Sequence, residues 1–238
     1  VIDLIAFDAD DTLWHNEILY ATTQERFQRL LAPYGQDGWT KQELYQTEMQ
    51  NLPYFGYGIK GFTLSMIETA IRVTGGRIES NVVQEIINLA KEMVEAPVQL
   101  LDHVADAIAA LAKTHRLMII TKGDLLDQER KVAKSGLAPY FSNIEIVIDK
   151  TSRIYQTLFA QYQIAPQRFL MVGNSLRSDI LPVVALGGHA VHIPYQVTWA
   201  HEAAAVDDGA PQGYLKLEHM GLLPALVGQL EQQGGQPA

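Results

Sequence analysis

Val1-Ile2-Asp3-Leu4-Ile5-Ala6-Phe7 runs straight into Asp8-Ala9-Asp10-Asp11-Thr12. A short apolar run of this kind, with one charge near its start, has the composition of a parallel strand buried on both faces. Three acids then crowd its carboxyl end. Carboxylates packed this closely repel one another, and burial raises their pKa values unless a cation neutralises them. Taken alone, such a motif can also cap a turn, because Asp side chains bond nearby backbone amides. The residues at the ends of the other strands decide between the two readings.

From Asn16 to Val94 helical patterns replace strands. Ile18, Leu19, Phe27, Leu30 and Leu31 follow helical spacing until Pro33 and Gly35 stop the run. Further helices are predicted within Lys41 to Met49, over Leu64 to Val73, closed by Gly75 and Gly76, and over Val82 to Val94, closed by Pro97. The stretch from Pro53 to Phe62 mixes three glycines with four aromatics. It reads as a loop, suited either to closing over a site or to packing between helices.

After Pro97 strands and helices alternate. Asp102 is placed to cap a helix through Ile108 and Leu111, and Leu117-Met118-Ile119-Ile120-Thr121 reads as a strand. A polar helix spans Leu125 to Ser135, a strand Ile144 to Ile148, a helix Ser152 to Tyr162 and a strand Phe169 to Val172. Asp179 to Leu186 reads as a helix, Ala190 to Ile193 as a strand, Tyr214 to Leu217 as a short last strand and Leu222 to Leu230 as a closing helix. The fold class expected is α/β: a doubly wound, mostly parallel, Rossmann-like sheet with an inserted all-helical domain. Residues 1–14 and 97–232 would form the α/β core, 15–96 the helical domain and 233–238 a loose tail.

Composition narrows the function. The chain has 238 residues, 47% hydrophobic and 19% charged, enough apolar content for a real core and against disorder. A net charge of −9 disfavours nucleic-acid binding, which needs a basic footprint. The absence of cysteine excludes disulfides, a thiolate nucleophile and Cys-ligated metals. No window is apolar for long enough to cross a bilayer. The first residues lack the basic start and cleavage site of a secretory signal, so a cytoplasmic location is expected and no membrane partner.

In a doubly wound sheet, ligands bind beyond the carboxyl ends of the strands. Asp8 and Asp10 come after the first strand, and Thr121-Lys122-Gly123-Asp124 after the second. Lys150 comes just after the third, and Gly173-Asn174-Ser175, with Asp179 close behind, after the fourth. Carboxylates, a hydroxyl and an ammonium therefore meet on one edge. Gly123 lets the backbone turn tightly and offer amides to an anion. Lys150 precedes a helix, where the dipole disfavours a cation, so its place makes sense if it faces negative charge; Arg153 is the competing candidate. Asp179 has a plain alternative as a dipole-stabilised acid at a helix start. His15, His189 and His192 read as surface or structural.

This ordered set resembles the haloacid dehalogenase superfamily, most of whose members are magnesium-dependent phosphohydrolases. Asp8-Ala9-Asp10-Asp11-Thr12 is similar to the family's first motif, Thr121 to its second, Lys150 to its third and Asn174 to Asp179 to its fourth. The helical insert sits where the family places a cap domain. Two positions depart from its commonest pattern: Lys122 stands where Asn is frequent, and Asn174 where an acid is usual.

The resemblance implies Mg2+ held by Asp8, Asp10 (through its carbonyl), Asn174 and Asp179. It implies Asp8 as nucleophile, Asp10 as acid and base, Thr121, Lys122, Gly123 and Lys150 as the phosphate cradle, and a covalent aspartyl phosphate. Dehalogenases of the family lack the second acid, because a halide needs no proton, so Asp10 favours phosphate esters. The acidic surface favours a small phosphorylated metabolite as partner, while the oligomeric state is not readable. A phosphomutase of the same family, and a phosphate-binding or regulatory module with little turnover, remain the alternatives.

Overall fold

The computed structural model describes residues 1–34, 41–196 and 213–234. Six parallel strands form one sheet: β1 (Leu4–Phe7), β2 (Arg116–Lys122), β3 (Asn143–Val147), β4 (Phe169–Gly173), β5 (His189–His192) and the two-residue β6 (Leu215–Lys216), in the order β3-β2-β1-β4-β5-β6. The order reverses between β1 and β4, the switch point at which doubly wound sheets bind ligands. Phe7 is in register with Ile119 on one side and Val172 on the other.

Alternation along the strands builds two cores. Ile5, Phe7, Leu117, Ile119, Leu170 and Val172 pack on one face, with α5 (Val104–Leu111) and α9 (Leu223–Gly234) contributing Ile108 and Val227. Leu4, Ala6, Met118, Ile120, Phe169 and Met171 pack on the other, against Tyr155, Leu158 and Phe159 of α7 (Ser152–Tyr162). Burying a side chain such as Phe7 contributes about 1.5–3 kcal/mol, so β1, lined on both faces, anchors the sheet.

The described residues divide into two compact units. One holds Val1–Glu17, Val98–Lys122 and the chain from Lys131; the other holds Ile18–Pro97 and Gly123–Arg130. The second contains α1 (Glu17–Leu31) beyond its first residue, α2 (Lys41–Phe55), α3 (Ile59–Val73) and α4 (Ser80–Glu95). Phe27, Leu44, Phe62, Met66, Ile86 and Leu89 form its core. Sequence pattern alone places 123–130 with the α/β core. The start of α6 (Leu125–Ser135) instead groups with the helices, where Lys60 pairs with Asp124 at 2.9 Å.

Other local readings change too. α2 runs on through Pro53 to Phe55 and α3 starts at Ile59, so the expected aromatic loop shrinks to 56–58. Packing outweighs the proline here: Asn51 Nδ2 donates to Ser65 Oγ and Glu68 Oε2 at 3.2 and 2.7 Å, tying α2 to α3. Asp102 does not cap α5; His103, with φ 67°, precedes it. The helix expected over Asp179 to Leu186 is a π-helical turn, Leu176–Ile180, followed by α8 (Leu181–Val184), which carries Pro182 in its first turn. α9 extends to Gly234, and the rest of the expected tail lies outside the described residues, as does Gly35. Among the described residues no helix is long and apolar enough to cross a membrane.

Candidate active site

Asp8 is the first residue past β1, and its amide donates to Val172 O at 2.9 Å, carrying the strand pairing to its end. The chain then folds sharply back, with Leu13 N on Ala9 O at 2.8 Å. Asp11 takes φ 62°, a conformation that Asp tolerates better than most residues. Its carboxylate accepts the amides of Asn16 (2.8 Å) and Glu17 (3.1 Å), capping the start of α1. Burial nevertheless pushes Asp11 up to about 7, those two amides pulling against it.

Lys150 joins the ends of three strands. Its ammonium donates to Asp8 Oδ1 at 2.5 Å and to Asp179 Oδ1 at 2.7 Å. All three groups are buried, with exposures of 8% for Asp8, 3% for Lys150 and 1% for Asp179. Burial pushes Asp8 up to about 7 despite the pull of Lys150, and Asp179 adds to the rise. Burial alone would lower Lys150; the carboxylates of Asp179 and Asp8 reverse that and hold it above its ordinary value. Arg153, the competing candidate, is exposed on α7.

The segment after β4 is braced at Asn174, Ser175, Ser178 and Asp179. Ser175 Oγ accepts the Ser178 amide at 3.1 Å while Asp179 Oδ2 accepts the Ser175 amide at 3.0 Å, a reciprocal pairing akin to a capping box. Ser178 O accepts from Tyr155 Oη at 3.1 Å, and Ser178 Oγ from Lys122 Nζ at 2.8 Å. His192 Nε2 lies 3.0 Å from Asn174 O. Since a carbonyl only accepts, Nε2 carries the proton; burial lowers the imidazole's pKa, and the bond to the Asn174 carbonyl pulls the other way. Thr12 Oγ1 is within reach of both Asp8 Oδ2 (3.1 Å) and Asn174 Oδ1 (3.3 Å).

The structure therefore brings Asp8, Lys150, Asn174 and Asp179 together. Asp10 turns to different partners: Lys131 Nζ donates to both its oxygens, at 2.9 and 2.8 Å, and Trp14 Nε1 to Oδ1 at 2.7 Å. Thr121 is buried at the end of β2, its hydroxyl on Lys122 O at 3.3 Å. Gly123 has φ 138°, a conformation other residues rarely adopt, and a Cβ there would lie 2.8 Å from Gln128 Nε2. Sequence reasoning misses Lys131, Trp14 and Thr12 as partners of the acids. Lys131 lies hidden in a polar helix, whereas Thr12 and Trp14, four residues after Asp8 and Asp10, carry a signal in their spacing.

The donor chemistry fits magnesium. Two buried carboxylates face one ammonium, and Asn174 adds a neutral oxygen, an all-oxygen set with negative charge left over. Among the described residues no three His, Cys, Asp or Glu side chains form a metal-holding group; Asn174 is an amide and lies outside that set.

The family model for haloacid dehalogenase-like hydrolases matches residues 2–187. A haloacid dehalogenase-like family hydrolase from Xanthomonas campestris is 39% identical, with a TM-score of 0.87 over 98% of this chain and 94% of that one. The HAD-hydrolase YfnB from Bacillus subtilis, solved bound to magnesium, is 17% identical, with a TM-score of 0.66 over 95% and 99% of the two chains. L-2-haloacid dehalogenase from Xanthobacter autotrophicus is 15% identical, with a TM-score of 0.65 over 95% and 98%. Among curated proteins nothing matches.

Proposed function

Because the chain belongs to the haloacid dehalogenase-like hydrolase family, and is thus a hydrolase, we propose that it cleaves small phosphate monoesters through an aspartyl phosphate on Asp8. The observation that carries this reading is Asp10, a second carboxylate two residues from Asp8 and held by its own donors. Displacing a halide from carbon would leave that acid idle; expelling an alkoxide from phosphorus requires it.

Asp8 attacks phosphorus in line, forming one P–O bond as the bond to the leaving oxygen breaks with its electron pair. Asp10 gives that oxygen a proton, and the alcohol departs. Water then attacks the phosphoryl group and yields a proton to Asp10. The P–O bond to Asp8 breaks, its electron pair returning to the carboxylate, and inorganic phosphate leaves. Lys150 offsets the charge that develops on the phosphoryl oxygens, with Thr121, Lys122 and the backbone at Gly123 completing the cradle. Magnesium, held by Asp8, Asn174 and Asp179 and by the Asp10 carbonyl, would supply electrostatic stabilisation of the same oxygens. The net charge of −9 supports a small metabolite over a polyanionic macromolecule.

The test pairs a chromogenic phosphate ester with 2-chloropropionate, each with and without magnesium. Magnesium-dependent phosphate release, lost in Asp8→Asn with the fold intact, is the expected result. Chloride release without phosphate release would overturn the proposal in favour of dehalogenation. Phosphate moved to a second sugar hydroxyl without net release would point to a mutase.

A further inference from the structure

We propose that Lys131 is a positioning residue for Asp10, fixing the carboxylate that exchanges protons with the leaving group and with water; the proposal rests on the phosphatase reading. Lys131 Nζ lies 2.9 and 2.8 Å from the two Asp10 oxygens and 3.1 Å from Asn16 Oδ1, groups that both belong to the loop following β1. The pair is mostly shielded, with side-chain exposures of 15% for Lys131 and 22% for Asp10. Trp14 supplies the second donor, Nε1 to Oδ1 at 2.7 Å, from a ring with no exposure.

The backbone that carries this buried ring is tied down as well. Trp14 bridges to Asp10 and Leu100, and the flanking residues are pinned to the neighbouring segment by His15 N on Gln99 O and Leu101 N on Leu13 O, both at 3.0 Å. An indole and an ammonium thus approach the carboxylate from two elements, which fixes both its place and the rotation of its plane. Orientation matters because a proton-transfer group must lie within hydrogen-bond reach of the atom it serves, and a misplacement of about 1 Å costs on the order of a hundredfold. Lys131 is well suited to this task, since an ammonium offers three donors and no acceptor.

Aryl and alkyl phosphates separate this role from a structural one. p-Nitrophenolate departs without a proton, whereas an alkoxide does not. With magnesium present, Lys131→Met should lower kcat/KM for an alkyl phosphate by roughly thirtyfold but for p-nitrophenyl phosphate by less than about fivefold, as loss of aimed proton transfer predicts. Lys131→Arg should recover most of the alkyl activity. Retained turnover of p-nitrophenyl phosphate shows that the variant folds; should it not fold, Trp14→Phe, which removes the indole donor, is held to the same discrimination. Equal losses on both esters, or no loss on the alkyl ester, would overturn the proposal. Asp10→Asn, run alongside, separates the two ideas. If it discriminates between the esters and Lys131→Met does not, only the positioning role falls; if the wild-type protein releases no phosphate, the phosphatase reading falls and takes this proposal with it.

Discussion

Gly173 and Asp179 share a volume that admits no further atom: a Cβ on residue 173 would lie 2.2 Å from Asp179 Oδ2 and 2.6 Å from its Cβ. The carboxylate leans over the end of β4 because that position is glycine, and from there it reaches Lys150 and the Ser175 amide. Gly173→Ala should displace Asp179, lowering stability by about 1–3 kcal/mol through overpacking and removing most of the hydrolase activity. Chemical denaturation and steady-state turnover on the same preparation check both effects.

Lys150→Met would leave two buried carboxylates facing each other without the ammonium. Removing one partner from a buried charge cluster costs about 3–5 kcal/mol. The loss should be greatest at pH 8 and shrink toward pH 5, because burial already raises Asp8 and it would take up a proton more readily without Lys150. Unfolding curves at the two pH values measure this, and an equal loss at both would contradict it.

Glu48 on α2 tests pH linkage away from the site. Its Oε2 is buried with no hydrogen-bond partner among the described residues, and burial pushes the group from 4.5 up to about 7. The folded protein therefore holds this proton at pH values where the unfolded chain has released it. The resulting stability is full below about 4.5 and is lost as the pH rises through about 7. Glu48→Gln should raise the unfolding midpoint at pH 8.5, by an amount worth roughly 2–3 kcal/mol, and leave it nearly unchanged at pH 4.5.

Asn174→Asp adds a negative oxygen beside Asp8. Magnesium affinity, followed by isothermal titration without substrate, should rise by about tenfold, in keeping with the dependence of such sites on ligand charge. In the unaltered protein, chelation of magnesium should abolish turnover without unfolding the sheet, because Lys150 already bridges the two buried carboxylates.

Much of this architecture is legible in the residues. The five main strands are recognisable because their apolar runs are short and closed by polar punctuation; β3, which carries Glu145 at its centre, is displaced by a single residue. Asp8, Lys150 and Asp179 stand out because the sheet edge gathers the residues just past each strand. Contacts set by side-chain reach are not legible. Nothing in the spacing of Lys131 singles it out from Lys134 on the same polar helix, and only the fold directs it to Asp10. The π-helical turn escapes notice for a related reason: the tie between Asp179 and the Ser175 amide overrides what local propensity suggests.

The switch point has a further cost, felt while the chain is being made. Leu4 and Phe169 are register partners, yet the whole helical unit and two other strands are translated between them. The edge of β1 that pairs with β4 must therefore stay unpaired until Phe169 has been made, and pairing so distant in sequence is slow to form. A nascent chain halted before β4 would carry Asp8 without the strand whose Val172 carbonyl accepts its amide, and chaperone capture of such truncated products is where this delay should become visible.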